Sequence, residues 1–367
     1  MTLSYQLSAQ PIARSRVPER SDDPRISEVE RRSTMTRIVY CDDSQPGITR
    51  RKVRHGWGYW DADGNRVTDR EEIDRLNAVG LPPAYRDAWF CPNPNGHIQA
   101  IGWDDKGRKQ YRYHIDFRTK MESAKYDLCA PFGRALPKLR AKVEADLRQR
   151  SHSRERTIAA MVHLLDIAAL RVGNESYAKA NKSFGLTTLR NRHAKIKGKT
   201  LKLKYRAKSG KERILTITDG SLSRFVKKCQ DLPGQHLFQY VGEDGEPHGV
   251  NSSDVNAYIR EATGEDFTAK HFRTWSASVI AFEALASADH DIGLKTMLEP
   301  VTEALGNTPA IARKSYVHPA LIDLAKGDQA KFRDALALPR ASRYLGRYER
   351  GLIAFLERGA KPHRKAA

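Results

Sequence analysis

The hydrophobic period of this chain changes near residue 119, and that change limits the class of fold open to it. From about 46 to 118, short aromatic stretches are separated by turn residues. Trp57, Tyr59 and Trp60 precede Asp61-Ala62-Asp63-Gly64-Asn65, and Trp89-Phe90 leads into Pro92-Asn93-Pro94-Asn95-Gly96. Asp104-Asp105-Lys106-Gly107 then precedes Arg108-Lys109-Gln110-Tyr111-Arg112-Tyr113-His114. Aromatic residues suit a pleated surface and Gly, Asn and Asp suit tight turns, so this stretch reads as a small twisted sheet. A helix over 69–77, stopped by Leu81-Pro82-Pro83, is expected to pack on it. Beyond 119 the period is helical. Over 155–172, Ile158, Met161, Val162, Leu165, Ala169 and Val172 share one face. Residues 184–218 return to strand alternation: Leu201, Leu203 and Tyr205 alternate with Lys202, Lys204 and Arg206. Ala207-Lys208-Ser209-Gly210-Lys211 then turns the chain into a second strand over 213–218, giving a hairpin with a basic tip. Helical signals resume at 221–231, 253–262, 271–287, 293–305 and 309–317. The fold class is therefore α+β: a small β-rich domain over 46–118 and a larger, mainly helical domain over 119–345 with an inserted β-hairpin. Residues 1–45, rich in Ser, Arg, Pro and Asp, read as a disordered extension, and 346–367 as a basic C-terminal helix and tail.

Charge narrows the partner. Lys and Arg number 64 against 44 Asp and Glu, a net charge of +20 on a chain of 367 residues that is 40% hydrophobic. A folded protein with such a surplus favours a polyanion, nucleic acid first and an anionic membrane surface second. No apolar run approaches the roughly 20 residues needed to span a bilayer, which excludes an integral helical membrane protein. No secretory leader is evident. Cys41, Cys91, Cys129 and Cys229 are widely spaced, which argues against a disulfide framework or a cysteine zinc site and for a reducing cytoplasm. The histidines show no metal-ligand spacing. Gly198-Lys199-Thr200 resembles the end of a phosphate-binding loop, but the position five residues before Gly198 is His193, so the glycine cradle is missing.

Four stretches carry residues able to meet a phosphate. Gln110-Tyr111-Arg112-Tyr113-His114 interleaves basic and aromatic side chains at strand spacing. It is either a half-buried strand with solvated charges or a strand facing nucleic acid. Arg171 borders the apolar face of the 155–172 helix, where it would either pair with Glu175 one turn on or hold an anion. Arg273, in Lys270-His271-Phe272-Arg273-Thr274-Trp275 ahead of an apolar helix, poses the same choice. Tyr316 ends a short helix whose N-cap is Thr308 and whose first residue is Pro309, with His318-Pro319 stopping it. A phenol with an ordinary pKa of about 10 is a poor nucleophile at neutral pH, and nearby cations would help it ionise.

Taken together, the motifs resemble those of a type IB DNA topoisomerase of the small bacterial kind, akin to the poxvirus enzymes. The resemblance spans roughly 46–340. It rests on Leu170-Arg171-Val172-Gly173-Asn174-Glu175, Lys208-Ser209-Gly210-Lys211, Lys270-His271-Phe272-Arg273-Thr274-Trp275, and Asn307-Thr308-Pro309 followed by Ser315-Tyr316. In the first domain, Leu81-Pro82-Pro83, Gly96-His97-Ile98-Gln99-Ala100 and the run 107–114 also fit.

The resemblance implies that Tyr316 attacks a backbone phosphate to give a 3′-phosphotyrosyl bond and a free 5′-hydroxyl. Arg171 and Arg273 would clamp the non-bridging oxygens, and Lys208 would protonate the 5′ leaving oxygen. Asn307 stands where many relatives have His, keeping a hydrogen-bond donor but no titratable group. Gln110, Tyr111, Arg112, Tyr113, Lys211 and Lys270 would touch DNA. The implied fold is a two-lobed clamp around duplex DNA, acting as a monomer without metal, cofactor or ATP, in the cytoplasm and associated with the nucleoid. A tyrosine recombinase uses nearly the same set, but those proteins resemble H-x-x-R at the second arginine, where this chain has Lys270. They also usually carry a helical arm rather than a β-rich module. A non-catalytic DNA-binding protein would need the charge alone.

Overall fold

The computed structural model describes residues 37–360, Lys106 excepted, in two compact units that divide between Lys125 and Tyr126. The expected extension over 1–45 and tail over 346–367 lie outside the described residues at 1–36 and 361–367.

In the first unit, β1 (Ile48–Val53) and β2 (Gly56–Trp60) form a tight hairpin, followed by α1 (Arg70–Ala78), β3 (Arg86–Phe90), β4 (Ile98–Trp103) and β5 (Lys109–Tyr113). The strands make one antiparallel sheet in the order β2-β1-β3-β4-β5. The carboxylate of Asp69 caps α1 by accepting from the Glu71 N–H at 3.2 Å, and Leu76 of that helix is buried with Ile48, Tyr59, Phe90 and Ala100. Order begins earlier than the polar composition suggests. Val39, read as part of a disordered extension, donates to the Asn95 carbonyl at 2.9 Å and accepts from the His97 N–H at 2.8 Å. The Asp42-Asp43-Ser44 stretch forms a local turn, the Asp42 carboxylate accepting from the Ser44 N–H, so its polar residues mark a bend in an ordered segment. This brings Cys41 and Cys91 together as free thiols with sulfurs 3.0 Å apart, and burial pushes the Cys91 thiol up to about 11. Helix α2 (Ile115–Asp127) carries the chain to the second unit.

The second unit opens with α3 (Cys129–Leu147), α4 (Arg154–Ala168) and α5 (Glu175–Asn181). A three-stranded sheet follows, of β6 (Ala194–Lys197), β7 (Thr200–Arg206) and β8 (Glu212–Thr218). Then come α6 (Gly220–Gln230), the short hairpin of β9 (Gln239–Val241) and β10 (Pro247–Gly249), α7 (Ser252–Thr263), α8 (Ala269–Ser287) and α9 (Leu294–Leu305). The chain ends with α10 (Pro309–Ser315), α11 (Pro319–Leu324), α12 (Gln329–Asp334) and α13 (Arg347–Ala360). One hydrophobic core joins α3, α4, α7 and α8 to the inner face of β7 and β8, where Leu201, Leu203, Leu215 and Ile217 point inward. Helix α8 is held by a close approach and a buried charge network. Gly133 of α3 leaves room for the Trp275 ring, which would stand 2.3 Å from a Cβ there. The Trp275 indole donates to Glu349 at 3.1 Å, and Glu349 pairs with Arg140, which also binds Asp166. Helix α13, which supplies Glu349, is thus part of the core, with Leu352 and Leu356 buried. Among the described residues no helix is long and apolar enough to cross a membrane.

Candidate active site

Arg171 is not on a helix. The periodicity predicts a helix to residue 172, but Ala169 adopts a left-handed conformation (φ 46°) and α4 stops at Ala168. Arg171 therefore lies in the crossing to α5, pinned where its carbonyl accepts from the Leu186 N–H at 2.9 Å and that of Val172 accepts from Thr187 at 2.7 Å. Gly173 makes the crossing possible: its φ is 100°, and a Cβ would meet the Gly185 backbone at 3.0 Å. Of the two readings of Arg171, the pair with Glu175 does not form: Glu175 pairs with Arg190 at 2.8 Å, because four-residue spacing aligns side chains only within one helix. Arg171 instead donates to the amide oxygen of Asn307 at 2.6 Å.

Arg273 lies inside α8, not ahead of it, and is only 5% exposed. One guanidinium nitrogen donates to the Ala169 carbonyl and another to that of Leu305 at 3.2 Å. Its Nε is buried without a partner, as is the amide nitrogen of Asn307. Because arginine only donates, Asn307 must turn its oxygen toward Arg171, which leaves its N–H₂ for another acceptor.

Tyr316 closes α10. The Thr308 hydroxyl accepts from the Ile311 N–H at 3.4 Å, Pro309 occupies the first turn, and the Tyr316 N–H ends the helix on the Ala312 carbonyl at 3.0 Å. The guanidinium carbon of Arg273 stands 4.8 Å from the centre of the Tyr316 ring. Burial raises the pKa of this phenol, but charge and hydrogen bonding from Arg273 and then Arg171 outweigh it and hold the phenol below the ordinary tyrosine value. Arg273 is itself pulled down to about 10 by burial and by repulsion from Arg171. Two guanidiniums and one acidified phenol therefore stand together, with the Asn307 amide on Arg171, which suits an anion whose charge grows during reaction.

Beside them is a cavity of about 170 Å³ lined by Arg171, Arg273 and Asn307 together with Tyr205, Lys211 and Arg213; Tyr316 is not in its wall. Nor is Lys208. It stands exposed on the single turn Lys208–Gly210 at the tip of the β7–β8 hairpin. Lys270 is exposed on the first turn of α8. In the first unit, Tyr111 and Tyr113 are exposed and stacked, with ring centres 5.9 Å apart and planes 10° apart. Their strand is therefore open rather than half-buried. Gln110 donates to Asp104 at 3.0 Å and Arg112 to the Gly80 carbonyl at 3.0 Å, so both have partners within the protein.

Sequence reasoning missed Tyr205 and Arg213, which are paired directly across the hairpin. The signal was present: Arg213 shares strand parity with the inward residues Leu215 and Ile217, and an arginine on a buried face needs a reason to be there.

Comparison with known proteins decides the family. The family model described as "Eukaryotic DNA topoisomerase I, catalytic core" matches residues 114–313, more than half of the chain. DNA topoisomerase 1B of Acanthamoeba polyphaga mimivirus is 33% identical over 300 residues, covering 78% of this chain and 89% of the relative. The chain belongs to the type IB DNA topoisomerase family. The first unit agrees, since residues 56–104 match the model described as "Bacterial DNA topoisomerase IB, N-terminal domain". DNA topoisomerase 1B of vaccinia virus (strain Copenhagen) is 23% identical over 62% of this chain and 72% of its own length. A solved XerH recombinase bound to difH aligns with a TM-score of 0.36 and 14% identity over 55% of this chain and 52% of that one, too weak to bear on the fold. The type IB assignment thus rests on sequence relatives in both units, and the site just described lies in the second.

Proposed function

We propose that this topoisomerase relaxes supercoiled duplex DNA through a covalent bond to Tyr316, with Arg171, Arg273 and Asn307 holding the scissile phosphate. The observation that carries the reading is the acidified Tyr316 phenol beside two guanidiniums that reach it from α8 and from the α4–α5 crossing. The phenol gives up its proton to solvent water, and its oxygen attacks phosphorus. The bond from phosphorus to the 5′ oxygen breaks, and that oxygen takes a proton from Lys208. Two planar guanidiniums and the Asn307 amide offset the charge that builds on the equatorial oxygens. While the 5′ end is free it swivels about the intact strand, and the reverse attack reseals it. The phosphotyrosyl bond conserves the energy of the phosphodiester, so no ATP is consumed.

In this reading the first unit also binds the duplex, its Tyr111–Tyr113 ladder and basic residues on the backbone, and the chain acts as a monomer. Lys208 is exposed at a hairpin tip, so it reaches the leaving oxygen only when DNA seats against the hairpin. Gln110 and Arg112 exchange their Asp104 and Gly80 partners for DNA or position their neighbours. The surplus of +20 makes binding fall steeply with salt through counterion release.

The test is relaxation of a supercoiled plasmid in EDTA without nucleotide, with detergent trapping of a protein bound to the 3′ end of the nicked strand. Strand exchange between specific sites without relaxation would instead indicate a recombinase, and a strict magnesium requirement would overturn the mechanism. Lys208→Ala should slow cleavage by roughly 10²- to 10⁴-fold, the usual worth of a positioned acid. A substrate with a 5′-bridging sulfur, whose leaving thiolate needs no proton, should restore most of that rate. If it does not, Lys208 is not the acid.

A further inference from the structure

We infer that Arg213 is a positioning residue for strand cleavage, locking the hairpin that carries Lys208 to the helix end that carries Asn307. The inference rests on the reaction proposed above. A helix leaves its last four carbonyls without partners inside the helix, at the negative end of its dipole. In α9 all four are taken. Thr302 accepts from the Gly306 N–H at 2.9 Å, Glu303 and Ala304 both accept from the Arg213 guanidinium, the former at 3.0 Å, and Leu305 accepts from Arg273 at 3.2 Å. The fork geometry of arginine lets one side chain hold two successive carbonyls, which a lysine cannot do.

Gly306 fits this arrangement twice over. Its φ of +64° ends α9, and a Cβ there would stand 2.9 Å from the Arg213 guanidinium. The next residue is Asn307, bound to Arg171. Arg213 thus connects β8 to the phosphate-facing amide through three residues of chain. Burial disfavours its charge and Arg171 repels it, so the site keeps a guanidinium there against an electrostatic cost. Arg213 also forms part of a wall. With Ala169 it lines both the 170 Å³ cavity and a larger cleft of about 1250 Å³, which contains none of Arg171, Arg273 and Asn307. Removing the side chain would both free the end of α9 and open the back of the site.

The experiment measures single-turnover cleavage of a duplex oligonucleotide, and separately its binding, for Arg213→Met, Arg213→Lys and the wild-type chain. Arg213→Met should cleave roughly 10- to 100-fold more slowly, because small misplacement of holding groups carries penalties of that order. DNA affinity should stay within about threefold. Arg213→Lys, which keeps the charge and loses the fork, should fall between the two. Added to Asn307→Ala, Arg213→Met should slow the reaction by no more than about threefold further, since both disturb one segment. Cleavage by Arg213→Met at the wild-type rate overturns the inference. So does a loss that multiplies with that of Asn307→Ala, or a fall in melting temperature with no change in the rate of the folded protein. Should Arg213→Met not fold, Arg213→Lys decides alone: full wild-type cleavage by that variant overturns it. A wild-type chain that forms no adduct at all overturns the reaction itself, whereas adduct from the wild type with an unaffected variant sinks only the role of Arg213.

Discussion

Replacing Tyr316 with Phe is expected to abolish strand cleavage, a loss of at least roughly 10⁴-fold, while DNA binding stays within about twofold. The change removes one oxygen and leaves the ring, which keeps its 4.8 Å contact with the Arg273 guanidinium and its place at the end of α10. Binding depends on charge spread over the surface, so it should barely register the lost hydroxyl. Chemistry depends on that hydroxyl entirely. Its neighbours stabilise charge but none can form the covalent bond. Tyr205 lines the adjoining 170 Å³ cavity, and it is poorly suited as a substitute: it is 6% exposed, and burial raises its pKa despite the nearby arginines. Detergent-trapped adduct should therefore vanish from Tyr316→Phe. Persistent adduct mapping to another residue would show that the wrong nucleophile has been assigned.

The contrast between these two tyrosines shows what a sequence can and cannot display. Tyr316 was legible because the signals around it are local: a capping threonine, a proline at the first turn, a stopping His318-Pro319 and a basic setting. The strands and helices were legible for the same reason, since alternation and 3.6-residue spacing are properties of neighbouring residues. The end of α4 was not. A left-handed Ala169 has no marker in the sequence, because alanine favours helix, and the cause lies in the Leu186 and Thr187 hydrogen bonds that hold the crossing. With that end misplaced, Arg171 was placed on a helix that it does not belong to, and a pair with Glu175 stood as one of its two readings. For Arg273 the helical signal over 271–287 already included the residue, but not its burial: α8 begins at Ala269 and takes the arginine into the interior.

Pairings across long stretches were equally hidden. Nothing in the spacing of Cys41 and Cys91 indicates that their sulfurs stand 3.0 Å apart, because the contact depends on how Val39 docks beside His97. Family resemblance brought Arg171, Arg273, Asn307 and Tyr316 together without the geometry. It did not supply Arg213, whose importance follows from which carbonyls need donors at the end of α9.

Arg273→Met should be the second most damaging change, slowing cleavage by roughly 10²- to 10³-fold, the usual loss when one preorganised donor to a developing charge is removed. Methionine keeps most of the volume in a site that is 5% exposed, so the core around Trp275 and Phe272 has no cavity to collapse into. Stability is pulled in opposite directions. The variant strands the carbonyls of Ala169 and Leu305, each at about 1–3 kcal/mol, but it also relieves a buried charge that Arg171 repels. The two contributions are of similar size, so the folded state should survive with a modest shift in melting temperature, and the loss in rate should dominate. The phenol adds a second effect. With Arg273 gone, burial of Tyr316 is opposed only by Arg171, so its pKa rises and the cleavage rate should depend more steeply on pH in the alkaline range. A 5′-bridging sulfur should not rescue this variant, because the missing group stabilises the phosphoryl oxygens rather than the leaving atom. Rescue comparable to that of Lys208→Ala would mean that Arg273 serves proton delivery instead of the phosphate, and the clamp would have to be reassigned.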